Sequence, residues 1–254
     1  MTIITLNTWG GRAGHGPLLD FFRSNAETDV FCLQEVWSAP YEIPPGRTVA
    51  SNQTFDGVLT EGMQEIARAL PDHVGFFRPH YRDHYGLYLL VKKTWTVLQE
   101  GEAFVHRHKG YEPEEDIGKH ARNVQYVVLQ TANGPLAVLN FHGLWNGQGK
   151  GDSEERIEQS RRLLGVLKEL PPDVVFCGDF NVNPDTQSLR LLEEAGFRNL
   201  VREHGVSSTR TSLYTKPEKF ADYVFVSGRV QVERFSVLPA EISDHAPLRV
   251  DVCV

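Results

Sequence analysis

The chain has 254 residues, long enough to bury one sizeable core, and 33 acidic against 26 basic residues give a formal net charge of −7. That balance excludes a protein that coats nucleic acid by bulk charge, so an anionic substrate has to be met by local groups or by a metal. The start, Met1-Thr2-Ile3-Ile4-Thr5, has no basic segment followed by an apolar stretch, and no run approaches the length of a membrane span. Cytoplasm is therefore the expected compartment, and a monomer the expected state. Three cysteines without regular spacing describe neither a disulfide framework nor a zinc site. Cys32, Cys177 and Cys253 all fall in apolar, strand-like runs and read as reduced, buried thiols.

Residues 2–7 read as a first strand ending at Asn7, followed by a glycine-rich loop (Gly10, Gly11, Gly14, Gly16) and a helix starting near Pro17. Residues 29–35 repeat the design, an apolar strand running into a carboxylate with no structural use in a buried segment, which makes Glu35 a candidate metal ligand. An amphipathic helix is predicted over 57–70 before Pro71, a buried strand over 86–91 and another over 97–105. Residues 106–120 have no periodicity and read as a surface loop beside the substrate mouth, with His106, His108 and His120 in solvent. Strands over 123–131 and 135–141 are joined across Asn133-Gly134, a dipeptide suited to a tight hairpin, and the second delivers His142 to its end. Asp152 with Glu155 fits a capping box for a helix that keeps its apolar spacing through Ile157, Leu164, Leu167 and Leu170.

Residues 173–177 form an apolar strand that stops in Gly178-Asp179-Phe180-Asn181. Gly178 lets the backbone turn, and Asp179 and Asn181, two positions apart, face the same way in extended chain. A carboxylate to orient a water and an amide to hold an oxyanion are parts that hydrolysis of a phosphate ester needs. A helix over 186–195 ends at Gly196, and the last third is β-rich, with strands over 221–226, 231–238 and 249–254. Asp222 opens the first of these, and Ser243-Asp244-His245 precedes the last. No repeat or linker divides the chain, so a single catalytic domain over 1–254 is expected.

Asn7, Glu35, His142, Asp179, Asn181, Asp222, Asp244 and His245 each stand where an apolar strand meets a loop, so packed sheets can bring them to one rim. With Leu6-Asn7, Leu33-Gln34-Glu35, Asn140-Phe141-His142, Gly178-Asp179-Phe180-Asn181, Asp222-Tyr223 and Ser243-Asp244-His245 in this order, the chain resembles the endonuclease/exonuclease/phosphatase superfamily from residue 6 to residue 248. The resemblance implies a four-layer α/β sandwich, two face-to-face mixed β-sheets flanked by helices, and phosphate-ester hydrolysis assisted by Mg²⁺ (or Mn²⁺). It implies Glu35 as principal metal ligand with Asn7 and Asp244 beside it. Asp179 would orient the attacking water, Asn181 hold a phosphate oxygen, His245 oriented by Asp222 stabilise the developing charge, and His142 contact the phosphate or leaving group.

Two departures narrow the reading. Asn7 is followed by Thr8 and Trp9, without the second acid of the abasic-site endonucleases, which weakens a DNA-repair role. Leu33-Gln34-Glu35-Val36-Trp37 with Asn7-Thr8-Trp9-Gly10 is similar to the sphingomyelinase-like branch and keeps a phospholipid head group in play, although Trp9 and Trp37 read as core aromatics. The expected activity is hydrolysis of a phosphodiester. A nuclease is the alternative, with Lys92, Lys93, Arg122, Arg210, Lys216 and Lys219 lining a groove. A catalytically inactive scaffold is disfavoured because all eight positions are intact.

Overall fold

The computed structural model describes residues 1–43, 46–49 and 54–254. In chain order the elements are β1 (Thr2–Asn7), α1 (His15–Ser24), β2 (Val30–Trp37), α2 (Gly62–Ala69), β3 (His73–Tyr81), β4 (Tyr85–Lys92), β5 (Val97–His106), β6 (Arg122–Thr131) and β7 (Gly134–His142). There follow α3 (Glu154–Lys168), β8 (Asp173–Asp179), α4 (Gln187–Glu194), β9 (Phe197–Asn199), α5 (Leu200–Glu203), β10 (Asp222–Ser227), β11 (Val232–Val237) and β12 (Leu248–Val252). Two six-stranded sheets result, ordered β11-β12-β1-β2-β4-β3 and β5-β6-β7-β8-β10-β9. Each is mixed through one parallel pair, β1 with β2 and β7 with β8.

Period-two alternation explains the layers. Ile3, Val30 and Cys32 share a core cluster with Val127, Leu139 and Phe176 of the second sheet, while Ile4, Leu6, Phe31 and Leu33 pack with Phe22 of α1 and Ile66 of α2. Both faces of these strands are thus covered, which is why they read as continuous apolar runs. Leu163, Leu167, Leu189 and Leu192 bring α3 and α4 onto the second sheet, completing the expected four-layer arrangement.

A buried polar bridge crosses between the sheets beneath the site. Gln34 Nε2 donates to Asn140 Oδ1 at 2.7 Å, and Asn140 Nδ2 donates to the Leu33 carbonyl at 2.9 Å, with both side chains fully buried. Such a bond adds only ~1 kcal/mol net, whereas an unmatched partner would cost ~1–3 kcal/mol, so its main effect is to fix how the sheets align. Gln34 and Asn140 each stand beside a site residue, Glu35 in β2 and, two positions on, His142 in β7.

Several expectations are corrected. β3 is a strand beyond the expected ones; its Gly75 and Pro79 break a strand pattern, and Pro79 is tolerated because β3 is an edge strand. α2 starts at Gly62 rather than residue 57. Thr131 pairs with Gly134, so the hairpin loop is Ala132-Asn133 and Gly134 carries the positive φ of 113° as the first residue of β7. Ser153, not Asp152, caps α3, its Oγ accepting from Arg156 N. Asp152 caps α4 instead, accepting from the backbone of Gln187 at 2.5 Å and Ser188 at 3.0 Å. Cys32 and Cys177 are buried, but Cys253 lies beyond the end of β12, exposed, with its thiol donating to Glu233.

Candidate active site

The parallel pairs decide where chemistry gathers. Asn7 sits opposite Gln34 across β1 and β2, and His142 opposite Asp179 across β7 and β8, so all four strands release their last residues at one edge. β10 runs antiparallel to β8 and pairs Asp222 with Asp179, which puts an acid from the start of one strand beside an acid from the end of another. Ser243 fixes the loop before β12: its Oγ donates to the Asn7 carbonyl at 2.7 Å and accepts from His245 N at 3.1 Å.

Local irregularities aim the side chains. The β2–β4 register slips between Leu33 and Val36, and Glu35 inside that bulge takes a left-handed φ of 57°. The Thr8 hydroxyl lies 3.0 and 3.1 Å from the carbonyls of Gln34 and Glu35, holding the bulge in place. In β8, Gly178 has φ 141°, and a Cβ there would sit 2.0 Å from the Phe141 carbonyl oxygen. Two residues on, Asn181 is again left-handed at 57°, with its N–H donating to Asp179 Oδ1 at 2.8 Å.

Asp179 Oδ2 is the hub of the cluster. It accepts from Asn7 Nδ2 at 3.0 Å and lies 3.7 Å from both His142 Nε2 and His245 Nε2. Burial would lift the pKa of Asp179, but Lys150, His245 and Arg210 outweigh it and, with the Asn7 hydrogen bond, hold the carboxyl below its usual range. His245 Nδ1 donates to Asp222 at 2.8–2.9 Å, so Nε2 faces Asp179 and Asp244 Oδ1, the latter 3.8 Å away. Burial and Arg210 work against a protonated His245, yet Asp222, Asp244 and Asp179 prevail and raise its pKa. Burial lifts Asp222 as well, but both its oxygens receive the ring, and the proton of the pair rests on the imidazole. His142, deeply buried and near Arg122, has its pKa pushed well below the usual value and stays neutral.

All eight residues proposed from the sequence therefore border one cleft or stand directly behind its wall. Asn7 differs in detail from the expectation. Its Oδ1 accepts from Trp9 N, and its Nδ2 donates to Glu35 Oε1 and Asp179 Oδ2, each at 3.0 Å. It turns N–H rather than oxygen toward the two carboxylates and bridges them.

The cleft has further cations. Arg210 donates to Asp244 Oδ2 at 3.4 Å and stacks 4.0 Å over the Tyr214 ring. Arg122 is buried; its Nη1 donates to His120 Nε2 at 3.0 Å, and among the described residues it has no carboxylate partner. His120 is correspondingly not solvated but buried, stacked 4.7 Å from His80, and burial together with Arg122 pushes both rings well below their usual pKa. Lys216 lines the mouth, whereas Lys92 pairs with Glu27 and Lys93 with the Pro71 carbonyl, away from it. Trp37 is buried as expected and Trp9 half-buried, and with Phe55, Tyr81 and Tyr85 both line an aromatic wall of the cleft. The residue that sequence reasoning missed is Lys150, buried in the loop between β7 and α3; a single lysine among glycines carries no signal of burial.

The donor set suits a hard divalent cation. Glu35, about a fifth exposed, presents its carboxylate to the cleft, and Asp244 Oδ1 is buried without a hydrogen-bond partner among the described residues. Among the described residues, ligand atoms of Glu35, His142 and Asp179 lie within 4.8 Å of one another.

Comparison with known proteins agrees with this architecture. The sequence profile described as "Endonuclease/Exonuclease/phosphatase family" matches residues 4–245. Among solved structures, a mannosyl-6-phosphatase of Bacteroides thetaiotaomicron is 16% identical with a TM-score of 0.71, over 100% of both chains. An endonuclease/exonuclease/phosphatase family protein of Leptotrichia buccalis is 14% identical with a TM-score of 0.73, again over 100% of both chains. TDP2 of D. rerio, solved with a single-strand DNA product, is 18% identical with a TM-score of 0.70, over 100% of this chain and 99% of its own. No curated protein matches the chain.

Proposed function

Since the chain belongs to the endonuclease/exonuclease/phosphatase family and is a phosphohydrolase, we propose that it cleaves a small phosphate ester, in the first instance a phosphodiester, by in-line attack of a water held at Asp179. The observation that carries this reading is the position of Asp179 Oδ2, ionised and within 3.7 Å of two imidazoles whose protonation differs. Two titratable groups pushed apart in pKa around one carboxylate are what assignment of acid and base roles requires.

Asp179 is oriented from both sides, by Asn181 N on Oδ1 and Asn7 Nδ2 on Oδ2, which leaves its remaining lone pairs to accept a hydrogen bond from the attacking water. His245, with Nδ1–H committed to Asp222, keeps Nε2–H for the charge that develops on the phosphorane. Neutral His142, 3.7 Å from the same carboxylate, contacts the phosphate or leaving-group oxygen as a hydrogen-bonding group. Glu35 and Asp244 would hold a divalent cation, Mg²⁺ or Mn²⁺, which when bound supplies Lewis-acid stabilisation of phosphoryl charge. Asn7 bridges the Glu35 and Asp179 carboxylates through its Nδ2.

A nuclease is the second reading, supported by the aromatic wall, the cations Arg122, Arg210 and Lys216 beside it, and the DNA product held by the similarly folded TDP2. A hydrolysis screen over bis-aryl phosphodiesters, sugar phosphates, phospholipids and single-stranded DNA, each with Mg²⁺, Mn²⁺ or chelator, separates the two. Asp179→Asn should lower kcat and kcat/KM together by ~100-fold, roughly 3 kcal/mol of barrier, on whichever substrate turns over. A folded Asp179→Asn protein with near wild-type rates would refute the mechanism.

A further inference from the structure

Lys150 is the only buried lysine among the described residues, and among these it has no carboxylate within 4 Å. Its one side-chain hydrogen bond among the described residues is to Asn181 Oδ1 at 2.6 Å. An ammonium has three N–H bonds and no lone pair, so two donors remain on a buried charge that lines the cleft. The loop that carries it is built to keep it there. Arg156, buried in the first turn of α3, donates from Nε to the Leu144 carbonyl at 3.1 Å, from Nη2 to Gly149 at 2.9 Å and from Nη1 to Gly151. The Lys150 carbonyl accepts from Asn183 N at 2.8 Å, tying the loop to the segment after β8.

The partners also fix which way the Asn181 amide faces. Lys150 can only donate and the Gly143 carbonyl, 3.2 Å from Asn181 Nδ2, can only accept, so no flipped arrangement satisfies both. One Asn181 N–H is thereby used and the other is left over, beside the two free N–H bonds of Lys150.

We propose that Lys150 contacts the phosphoryl group of the substrate and, by holding the Asn181 carbonyl, turns the free Asn181 N–H toward the same non-bridging oxygens. Lys150 and Asn181 then act as one anion-holding unit on the side of the cleft formed by the loop between β7 and α3. The inference rests on the phosphohydrolase reading for its substrate, but not for its test.

Two readouts test it in Lys150→Met and Lys150→Arg, with Mg²⁺ present. Titration calorimetry with inorganic phosphate should show binding weakened by about tenfold or more in Lys150→Met and partly restored in Lys150→Arg, while affinity for Mg²⁺ is unchanged. On the best substrate, Lys150→Met should lose about 100-fold in kcat/KM, chiefly through kcat, and adding Asn181→Ala should cost little more, because the two act as a unit. Unchanged phosphate affinity in Lys150→Met overturns the proposal, as do losses that multiply in the double variant. If wild-type protein turns over no substrate at all, the phosphohydrolase reading fails, and the phosphate titration still decides the role of Lys150.

Discussion

A buried ammonium whose carboxylate neighbours lie beyond ion-pair distance should be visible in the pH dependence of stability. Burial pushes the pKa of Lys150 down, Arg210 and Arg156 add to the effect, and Asp179 and Asp222 only partly oppose it, leaving a value of about 8 against the usual 10.5. The folded chain therefore sheds this proton before the unfolded chain does. Below about pH 8 both states carry the charge and the fold bears its full burial cost; between about 8 and 10.5 the unfolded chain binds more protons and stability rises with pH. At ~1.4 kcal/mol per unit, the gain across that window is roughly 3 kcal/mol. Replacing Lys150 by Met removes the titration but also orphans Asn181 Oδ1, a penalty of ~1–3 kcal/mol that does not depend on pH. The measurement is thus a difference: urea unfolding of wild type and Lys150→Met in chelator, at several pH values from about 7 to about 10.5. Wild type should gain roughly 3 kcal/mol on the variant as pH rises, and other titrating groups cancel. A difference that stays flat would show that the ammonium is solvated or paired in solution, and the argument from uncompensated burial would fall.

Two further outcomes follow from the geometry. Glu35→Gln should weaken Mg²⁺ binding by about tenfold or more by calorimetry, with activity partly recovered at raised metal concentration; unaltered affinity would remove Glu35 from the metal site. Gly178→Ala should destabilise the fold by ~3 kcal/mol or more in urea unfolding, because the new Cβ meets the Phe141 carbonyl oxygen at 2.0 Å and the φ of 141° is strained for any L side chain; a midpoint near wild type would mean that β8 can shift without harm.

Much of this arrangement was legible in the sequence because both sheets are covered on both faces. Runs such as Val30-Phe31-Cys32-Leu33 are apolar throughout, so a polar residue at the end of one stands out, and Asn7, Glu35, His142 and Asp179 could be picked by that contrast alone. What failed was whatever depends on a distant partner. Asp152 lies beside a capping signal, yet its partners are Gln187 and Ser188, 35 and 36 residues away. The burial of His120 follows from stacking on His80 in β3, the strand whose Gly75 and Pro79 hid it, so one missed element carried a second error with it. Lys150 had no local contrast at all, since its loop reads as glycine and polar residues on either side.

The costs concentrated at this strand edge are hard to assign to folding. Glu35 and Asn181 are both left-handed at 57°, a conformation that costs non-glycine residues ~1–3 kcal/mol, and Lys150 is buried with no carboxylate within 4 Å among the described residues. None of the three is required by the alternating apolar pattern that builds the sheets; an alanine in an ordinary strand conformation would serve the packing at position 35 equally well. Each cost is instead tied to direction: the bulge turns the Glu35 carboxylate into the cleft, the left-handed turn brings Asn181 N–H onto Asp179, and the clamped loop brings Lys150 onto Asn181. A cation at Glu35 and Asp244 and an anion at Lys150 and Asn181 would each offset these costs, since a ligand that binds only the folded state stabilises it. The strained backbone and the unpaired charge are thus one arrangement, in which the fold gives up stability at the edge of its sheets to hold ligand-binding groups in place before the ligand arrives.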